Sequence, residues 1–144
     1  KHWLDKINNE SLLQPQAVYG YFPCGRDGNI VRIFNESNKE IYKFEFPRQR
    51  GGNFYCISDY FADLDSSKPT DFLPMQAVTM GSKASDYSKY LFESNNYSDY
   101  LYFHGLAVQL AEALAEYIHS IIRKECGFSK EEPNQLRDIL AQRY

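Results

Sequence analysis

The segment at about 97–126 constrains this chain more than any other, because it predicts one long helix. It contains no proline, and its apolar residues recur at the spacing that lines one helix face, namely at Ala107, Leu110, Ala111, Leu114, Ile118, Ile121 and Ile122. Arg123 and Lys124 fall in the last turn, where cations suit the negative end of the helix dipole, and Gly127 follows as a left-handed cap. At about 1.5 Å per residue the helix spans roughly 40 Å, so the rest of a small domain must pack around it.

Strand patterns concentrate in the first half of the chain and helix patterns in the second half. The strands are predicted at 16–22, 29–34, 40–46 and 72–80, with a turn at 23–28 and a further strand or buried connection at 54–57. The other helices are predicted at 1–10, 81–93 and 129–142, with a helical turn capped by Ser58 or Asp59. The short polar linker 35–39 predicts an antiparallel hairpin, and Pro74 favours an edge position for the last strand. This order predicts an α+β fold in which an antiparallel sheet packs with helices.

Length and charge exclude several classes of partner. A chain of 144 residues suits a single domain over 1–144. The net charge is −3 and no run of Lys and Arg occurs, so neither nucleic acid nor a membrane is an expected partner. The three widely spaced cysteines fit the reduced thiols of a cytoplasmic protein. The chain starts without Met and without the apolar core of a signal peptide, so we expect a piece of something longer.

Several polar residues invite a chemical role, and each also has a structural explanation. Glu112, Glu116 and His119 share a helix face, but one Glu-x-x-His pair is half of what a di-iron bundle uses, and a solvated face explains it equally well. Asp59 ends an apolar run, where an acid is most often a helix cap. Arg48 could bind an anion or a carboxylate, but a loop that ends a strand explains it better. The residues alone therefore predict a candidate acidic, aromatic ligand site, with no catalytic residue and no metal ligand expected.

Five segments, in their order and spacing, resemble the activation domain of cobalamin-dependent methionine synthase. They are VYGYFP at 18–23, FEFPRQ at 44–49, YCISDYF at 55–61, MQAVTMG at 75–81 and GLAVQLAEALAEYIHSIIRKE at 105–125. The last segment is the most specific. The resemblance runs from about Leu12 to the end of the chain.

The resemblance implies an S-adenosylmethionine-binding module, C-terminally truncated, of a larger cytoplasmic multidomain enzyme. That enzyme moves a methyl group from methyltetrahydrofolate to homocysteine through cobalamin and carries zinc in another domain. The module would support the reductive methylation of inactive cob(II)alamin, because it would hold the S-adenosylmethionine methyl over the cofactor while flavodoxin or a similar flavoprotein delivers an electron. Its partner would be the cobalamin-binding domain of the same enzyme. The whole enzyme would be a methyltransferase. The isolated fragment would catalyse nothing.

Two ligand positions follow from the same resemblance. Asp59 matches the acid of the family's xADF-type segment, and Glu112 matches the first acid of its LAEAxAE helix. Both are thereby implied to contact S-adenosylmethionine. Carboxylates suit this ligand, because it carries an α-ammonium group, a sulfonium charge and ribose hydroxyls.

The chain departs from the family pattern in two places. The family continues with an Arg-x-x-x-Gly-Tyr-Pro-Ala-Cys-Pro type segment that supplies ligand contacts, whereas this sequence stops at Tyr144. We therefore expect weak binding, or none, by the isolated fragment. Many members also carry Ala-Asp-Arg where this chain has Ala107, Val108 and Gln109, so contacts from this turn to the cobalamin domain are in question.

Two alternative functions of the chain remain open. One is a stand-alone module that docks on a corrinoid protein or a flavoprotein without binding S-adenosylmethionine. The other is a helical metal enzyme built on Glu112, Glu116 and His119.

Overall fold

The computed structural model describes residues 2–128 and 137–138. Within them the chain forms three α-helices, four β-strands and one 3₁₀-helix. In chain order these are α1 (His2–Glu10), β1 (Gln16–Asp27), β2 (Ile30–Phe34), β3 (Glu40–Glu45), the 3₁₀-helix (Ile57–Tyr60), β4 (Asp71–Thr79), α2 (Ser82–Glu93) and α3 (Tyr97–Glu125). The strands form one antiparallel sheet in the order β3-β2-β1-β4. The predicted α+β fold is confirmed.

The chain divides into two compact units. The first unit comprises the described residues within 1–18 and 76–144, and it contains the three α-helices. The second unit comprises residues 19–75, and it contains β2, β3, most of β1 and the 3₁₀-helix. The expectation of one domain over 1–144 stays a prediction.

The core of the first unit is built around Phe103 of α3, whose side chain is wholly buried. Its ring lies 4.9 Å from that of Tyr87 on α2, in an edge-to-face arrangement, and 5.9 Å from that of Trp3 on α1. The buried residues around it are Ile7, Leu12, Met80, Ala84 and Leu91. One aromatic side chain therefore joins all three helices of this unit.

Helix α3 has the length and the cap that its sequence predicts. It runs over 29 residues, and Arg123 and Lys124 lie in its last turn. Gly127 has a φ of +84°, and its N–H donates to the carbonyl of Lys124 at 3.1 Å. The left-handed region disfavours residues with a Cβ, which explains the glycine at this position.

The strand β1 is longer than predicted, and the turn expected at 23–28 is wrong. The ladder between β1 and β2 runs from the pair Cys24–Ile33 to the pair Asp27–Ile30. Pro23 therefore precedes this ladder, and its missing N–H removes no hydrogen bond to β2. Burial of Cys24 beside Ile33 favours continuation of the strand.

The hairpin of β2 and β3 is confirmed. These strands are antiparallel, with Val31 opposite Phe44, and the side chain of Asn35 accepts hydrogen bonds from the backbone of Ser37 and Lys39 in the linker. An Asn that bonds its own turn is the expected chemistry of such a loop. The strand β4, which carries Pro74, occupies an edge of the sheet as predicted.

Three other predictions have different outcomes. Of the strand or buried connection predicted at 54–57, the structure has a connection, in which Cys56 is buried while the neighbouring side chains are exposed. Cys56, not Ser58 or Asp59, is the N-cap of the 3₁₀-helix, because the helix begins at Ile57 and both predicted caps lie within it. The Ser58 hydroxyl donates instead to the carbonyl of Gly28 at 3.0 Å. The predicted helix at 129–142 lies outside the described residues except for 137 and 138.

Replacing Phe103 with Ala should lower the free energy of unfolding by about 3–5 kcal/mol, because the change leaves a cavity where three helices meet. Chemical denaturation followed by circular dichroism measures this loss. The matched control is Leu101→Ala on the same helix, where the side chain is 67% exposed and the change should stay within about 0.5 kcal/mol. Equal losses in both variants would contradict this description of the core.

Candidate functional site

In the second unit, Asp59 lies at the centre of an ion network with Arg48, Arg26 and Asp63, which we call the Asp59 network. Arg48 binds the Asp59 carboxylate in bidentate fashion, with both N–O distances at 2.7 Å. Arg26 donates to Asp59 Oδ1 at 3.1 Å, and it binds Asp63 through two further bonds of 2.6 and 2.9 Å. The backbone N–H of Cys56 donates to Asp59 Oδ2 at 2.9 Å. The loop after β3, the start of the 3₁₀-helix and strand β1 are thereby tied to one carboxylate.

The 3₁₀-helix explains why Asp59 points into this network. Asp59 is the third residue after the cap Cys56, and its side chain returns to the cap's N–H as in a capping box. Arg48 reaches it from the loop after β3, where its Nε also donates to the Asn29 side chain at 3.1 Å and its Nη1 to the carbonyl of Phe54 at 2.7 Å. Arg48 therefore lies in a loop that follows a strand, as predicted, and the carboxylate that it binds is that of Asp59.

The network fixes the charge state of Asp59. The bidentate bond from Arg48, followed by the N–H of Cys56 and the charge of Arg26, holds the pKa of Asp59 well below its usual range. A carboxylate offers about four acceptor sites, and four hydrogen bonds are already made to Asp59. A cationic ligand at Asp59 would have to displace a donor. Arg26 is the donor to displace, since its bond is the longest of the four and Asp63 holds it independently.

Large apolar side chains around Asp59 face solvent. Phe54, Tyr55, Ile57 and Tyr60 are each more than half exposed, and Tyr60 reaches 82%. Phe54 has a φ of +55°, a conformation that bulky residues rarely adopt, and its carbonyl accepts from Arg48. Exposed aromatic side chains therefore lie in the segment that carries Asp59.

In the first unit, Glu112 lies on the exposed side of α3. Its Oε2 accepts a hydrogen bond of 3.0 Å from the side chain of Gln109, one turn earlier. In the described part of the chain Glu112 makes no other hydrogen bond or ion pair that involves its carboxylate. Unlike Asp59, it has acceptor sites left for a ligand.

An apolar cavity of about 510 Å³ lies between α2 and α3, and we call it the α2–α3 cleft. Small residues open it on both helices, with Ala84 and Ser88 on α2 and Ala107 and Ala111 on α3. Further lining residues include Phe92, Tyr100, His104 and Val108, and the rings of Tyr100 and His104 stack at 5.3 Å. Val108 precedes Glu112 by one helical turn, so the carboxylate stands just beyond this cleft on the same face of α3.

The remaining polar residues of α3 offer no metal centre among the described residues. His119 Nδ1 lies 4.0 Å from Glu116 Oε2, and both side chains are exposed to solvent. No group of three or more His, Cys, Asp or Glu side chains in residues 2–128 and 137–138 is arranged to hold a metal ion. Nor does any helix in this part of the chain have the length and apolarity to cross a membrane.

The two predicted site residues thus lie in different units, Asp59 in the second and Glu112 in the first. The structure adds residues that sequence reasoning missed, namely Arg26 and Asp63 around Asp59 and Gln109 beside Glu112. The spacing of Gln109 and Glu112 at i and i+3 was a usable signal. Arg26 offered no such signal, since it meets Asp59 only through the fold.

Comparison with known proteins identifies the family. The sequence matches, over residues 1–144, the family described as vitamin B12 dependent methionine synthase, activation domain. It is 43% identical over 136 residues to the methionine synthases of Mycobacterium tuberculosis and Mycobacterium leprae, which covers 90% of this chain and 11% of each relative. The chain therefore spans about a tenth of the length of these relatives.

A solved structure has the same fold. The crystal structure of the MetH reactivation domain bound to AdoHcy superposes with a TM-score of 0.82 and 29% sequence identity. The superposition covers 99% of this chain and 46% of the other.

The Asp59 network predicts a characteristic dependence of stability on pH. Asp59→Asn should lower the free energy of unfolding at pH 7, because the folded state then loses a carboxylate whose pKa lies below the ordinary value of 3.8. A lowered pKa stabilises the fold above the unfolded value. The advantage of the unmodified protein should therefore be constant at neutral pH and shrink as the pH falls through 3.8 and below.

Thermal denaturation of both proteins between pH 7 and pH 2.5 measures this difference. The matched control is Asp63→Asn, since Asp63 is more exposed than Asp59 and binds Arg26 but not Arg48. It should cost less at pH 7. If the stability difference between Asp59→Asn and the unmodified protein did not change with pH, the lowered pKa of Asp59 would be refuted.

Proposed function

The chain belongs to the family of vitamin B12-dependent methionine synthase activation domains, and from that premise we propose that it binds S-adenosylmethionine and supports the reductive methylation of inactive cob(II)alamin. The observation that carries the proposal is Glu112, an exposed carboxylate with free acceptor sites on the long helix α3. The related reactivation domain was solved with AdoHcy bound, which is what S-adenosylmethionine becomes when its methyl leaves. This relative supports the same ligand class here.

We propose that Glu112 accepts hydrogen bonds from a cationic or hydroxyl group of S-adenosylmethionine. The ligand carries an α-ammonium group, a sulfonium and two ribose hydroxyls, all of which suit an acceptor-only carboxylate. Charge-assisted bonds of this kind are the stronger ones. Asp59 is proposed as the second ligand carboxylate, and its binding would release the 3.1 Å bond from Arg26.

The larger protein is proposed to be a methyltransferase of the cytoplasm, with zinc in another domain and with cobalamin held mainly by its cobalamin-binding domain. When bound, cobalamin would supply the methyl-accepting centre, and this chain would supply the placement of S-adenosylmethionine. Flavodoxin or a similar flavoprotein is the proposed electron donor. The 144-residue chain alone is proposed to be inactive.

We propose that the cobalamin-binding domain packs at the α2–α3 cleft. The cleft is apolar, it is lined by small residues, and its volume of about 510 Å³ leaves room for side chains of a partner. In this cleft Val108 is 41% exposed, so this turn of α3 offers a partner an apolar side chain.

The same cleft favours a second candidate function, a docking module for a corrinoid protein or flavoprotein that binds no S-adenosylmethionine. Such a module needs the apolar surface and not the carboxylate of Glu112. Ligand binding therefore separates the two candidates.

Glu112→Gln should weaken S-adenosylmethionine binding about tenfold, because it removes the charge from a hydrogen bond to a charged group. Titration calorimetry on the natural full-length protein that carries this sequence measures the affinity, and the 144-residue chain is titrated beside it. Asp59→Asn tests the second carboxylate in the same assay.

The matched control for that titration is Glu116→Gln, which removes a carboxylate one turn further along α3 and should leave the affinity unchanged. A folded full-length protein that gives no heat with S-adenosylmethionine would contradict ligand binding and favour the docking module. Equal affinities in Glu112→Gln and the unmodified protein would remove Glu112 from the site.

Ser85→Trp should lower the rate of reductive methylation in the full-length enzyme several-fold while it leaves S-adenosylmethionine affinity unchanged. Ser85 is exposed and lines the α2–α3 cleft, so an indole there would occupy space proposed for the cobalamin-binding domain. The matched control is Asp86→Trp, at the next residue of α2, which does not line the cleft. Equal rates for both variants would show that the cleft is not the docking surface.

A further inference from the structure

Gln109 and Glu112 form a side-chain pair on the outer face of α3. They stand at i and i+3, where helix side chains are neighbours, and the amide Nε2 of Gln109 donates to Glu112 Oε2 at 3.0 Å. Both residues are exposed. The bond engages one carboxylate oxygen from the side of Gln109 and leaves Oε1 open. The rotamer of Glu112 is therefore biased before any ligand arrives.

The donor in this pair is neutral, which distinguishes it from the other candidate carboxylate. Asp59 is compensated by two guanidinium groups, whereas Glu112 receives its hydrogen bond from an uncharged amide. The other helix neighbours of Glu112, at i−4, i+3 and i+4, are Val108, Ala115 and Glu116, and none of them is a cation. Glu112 thus keeps an uncompensated negative charge on its helix face.

We propose that Gln109 is a positioning residue that presents Glu112 as an uncompensated carboxylate, and that the pair thereby favours S-adenosylmethionine over S-adenosylhomocysteine. The inference rests on the proposed function, since it deepens the ligand role of Glu112. The two ligands share the α-ammonium, the carboxylate and the ribose, and they differ by the positive sulfonium. An uncompensated carboxylate attracts the ligand with the additional positive charge, and it releases the thioether product more readily.

Two substitutions of Gln109 separate orientation from charge. Gln109→Leu removes the donor and should weaken both ligands about twofold, in line with the strength of such a helix pair. Gln109→Arg keeps a donor within reach of Glu112 but adds a compensating charge. It should lower the affinity for S-adenosylmethionine about threefold more than that for S-adenosylhomocysteine, as expected for an exposed ion pair.

The experiment is titration calorimetry of both ligands into the natural full-length protein and its variants. The measured quantity is the ratio of the two affinities, which a general loss of structure would not change selectively. The matched control is Tyr102→Arg, which adds the same charge on an exposed position of α3 about 15 Å along the axis from Glu112. It should leave the ratio unchanged.

The outcomes keep this inference apart from the proposed function. A fall of the ratio in Gln109→Arg, with an unchanged ratio in Tyr102→Arg, supports the inference. A Gln109→Arg protein that keeps the ratio of the unmodified protein overturns the inference alone, because ligand binding is then intact. An unmodified protein that binds neither ligand overturns the proposed function and this inference together.

Discussion

In the first unit, one side of the 29-residue helix α3 must be covered by the much shorter helices α1 and α2. Phe103 answers this constraint, because its buried ring contacts Trp3 of α1 and Tyr87 of α2 at the same time. Once α3 is fixed by that contact, its other faces can carry function. The α2–α3 cleft opens where Ala107 and Ala111 are too small to fill the space, and Glu112 follows directly on the solvent side.

The second unit uses charge where the first uses apolar burial. The Asp59 network ties the loop after β3, the 3₁₀-helix and strand β1 together through one carboxylate. This arrangement stabilises a loop whose aromatic side chains face solvent. It also distinguishes the two predicted ligand carboxylates, since a ligand at Asp59 would compete with a guanidinium and a ligand at Glu112 would not.

Local sequence patterns predicted the parts of the fold that depend on neighbours in the chain. The apolar period of α3, the glycine cap at Gly127 and the Asn-bearing hairpin linker are all local signals, and each is confirmed. The extension of β1 through Pro23 depends on the register with β2, which no local pattern reports. The same holds for Arg26 and Arg48, whose contacts with Asp59 join residues that the fold alone brings together.

In the candidate site, too, some features could be predicted from the sequence and others depend on the fold. Glu112 was predicted as a ligand residue through the resemblance of its helix segment, and its exposure follows from the helical period. The saturation of Asp59 could not be predicted, because a sequence shows a carboxylate but not the donors around it. Its ligand role therefore stays a prediction that must be reconciled with four existing hydrogen bonds.

A crystal structure of this protein with AdoHcy is the first experiment to make, because it shows which side chains the ligand contacts. We expect the ammonium nitrogen or a ribose hydroxyl of the ligand to lie within hydrogen-bond distance of the Glu112 carboxylate, with the bond from Gln109 retained. A ligand bound with no contact to Glu112 would contradict this expectation.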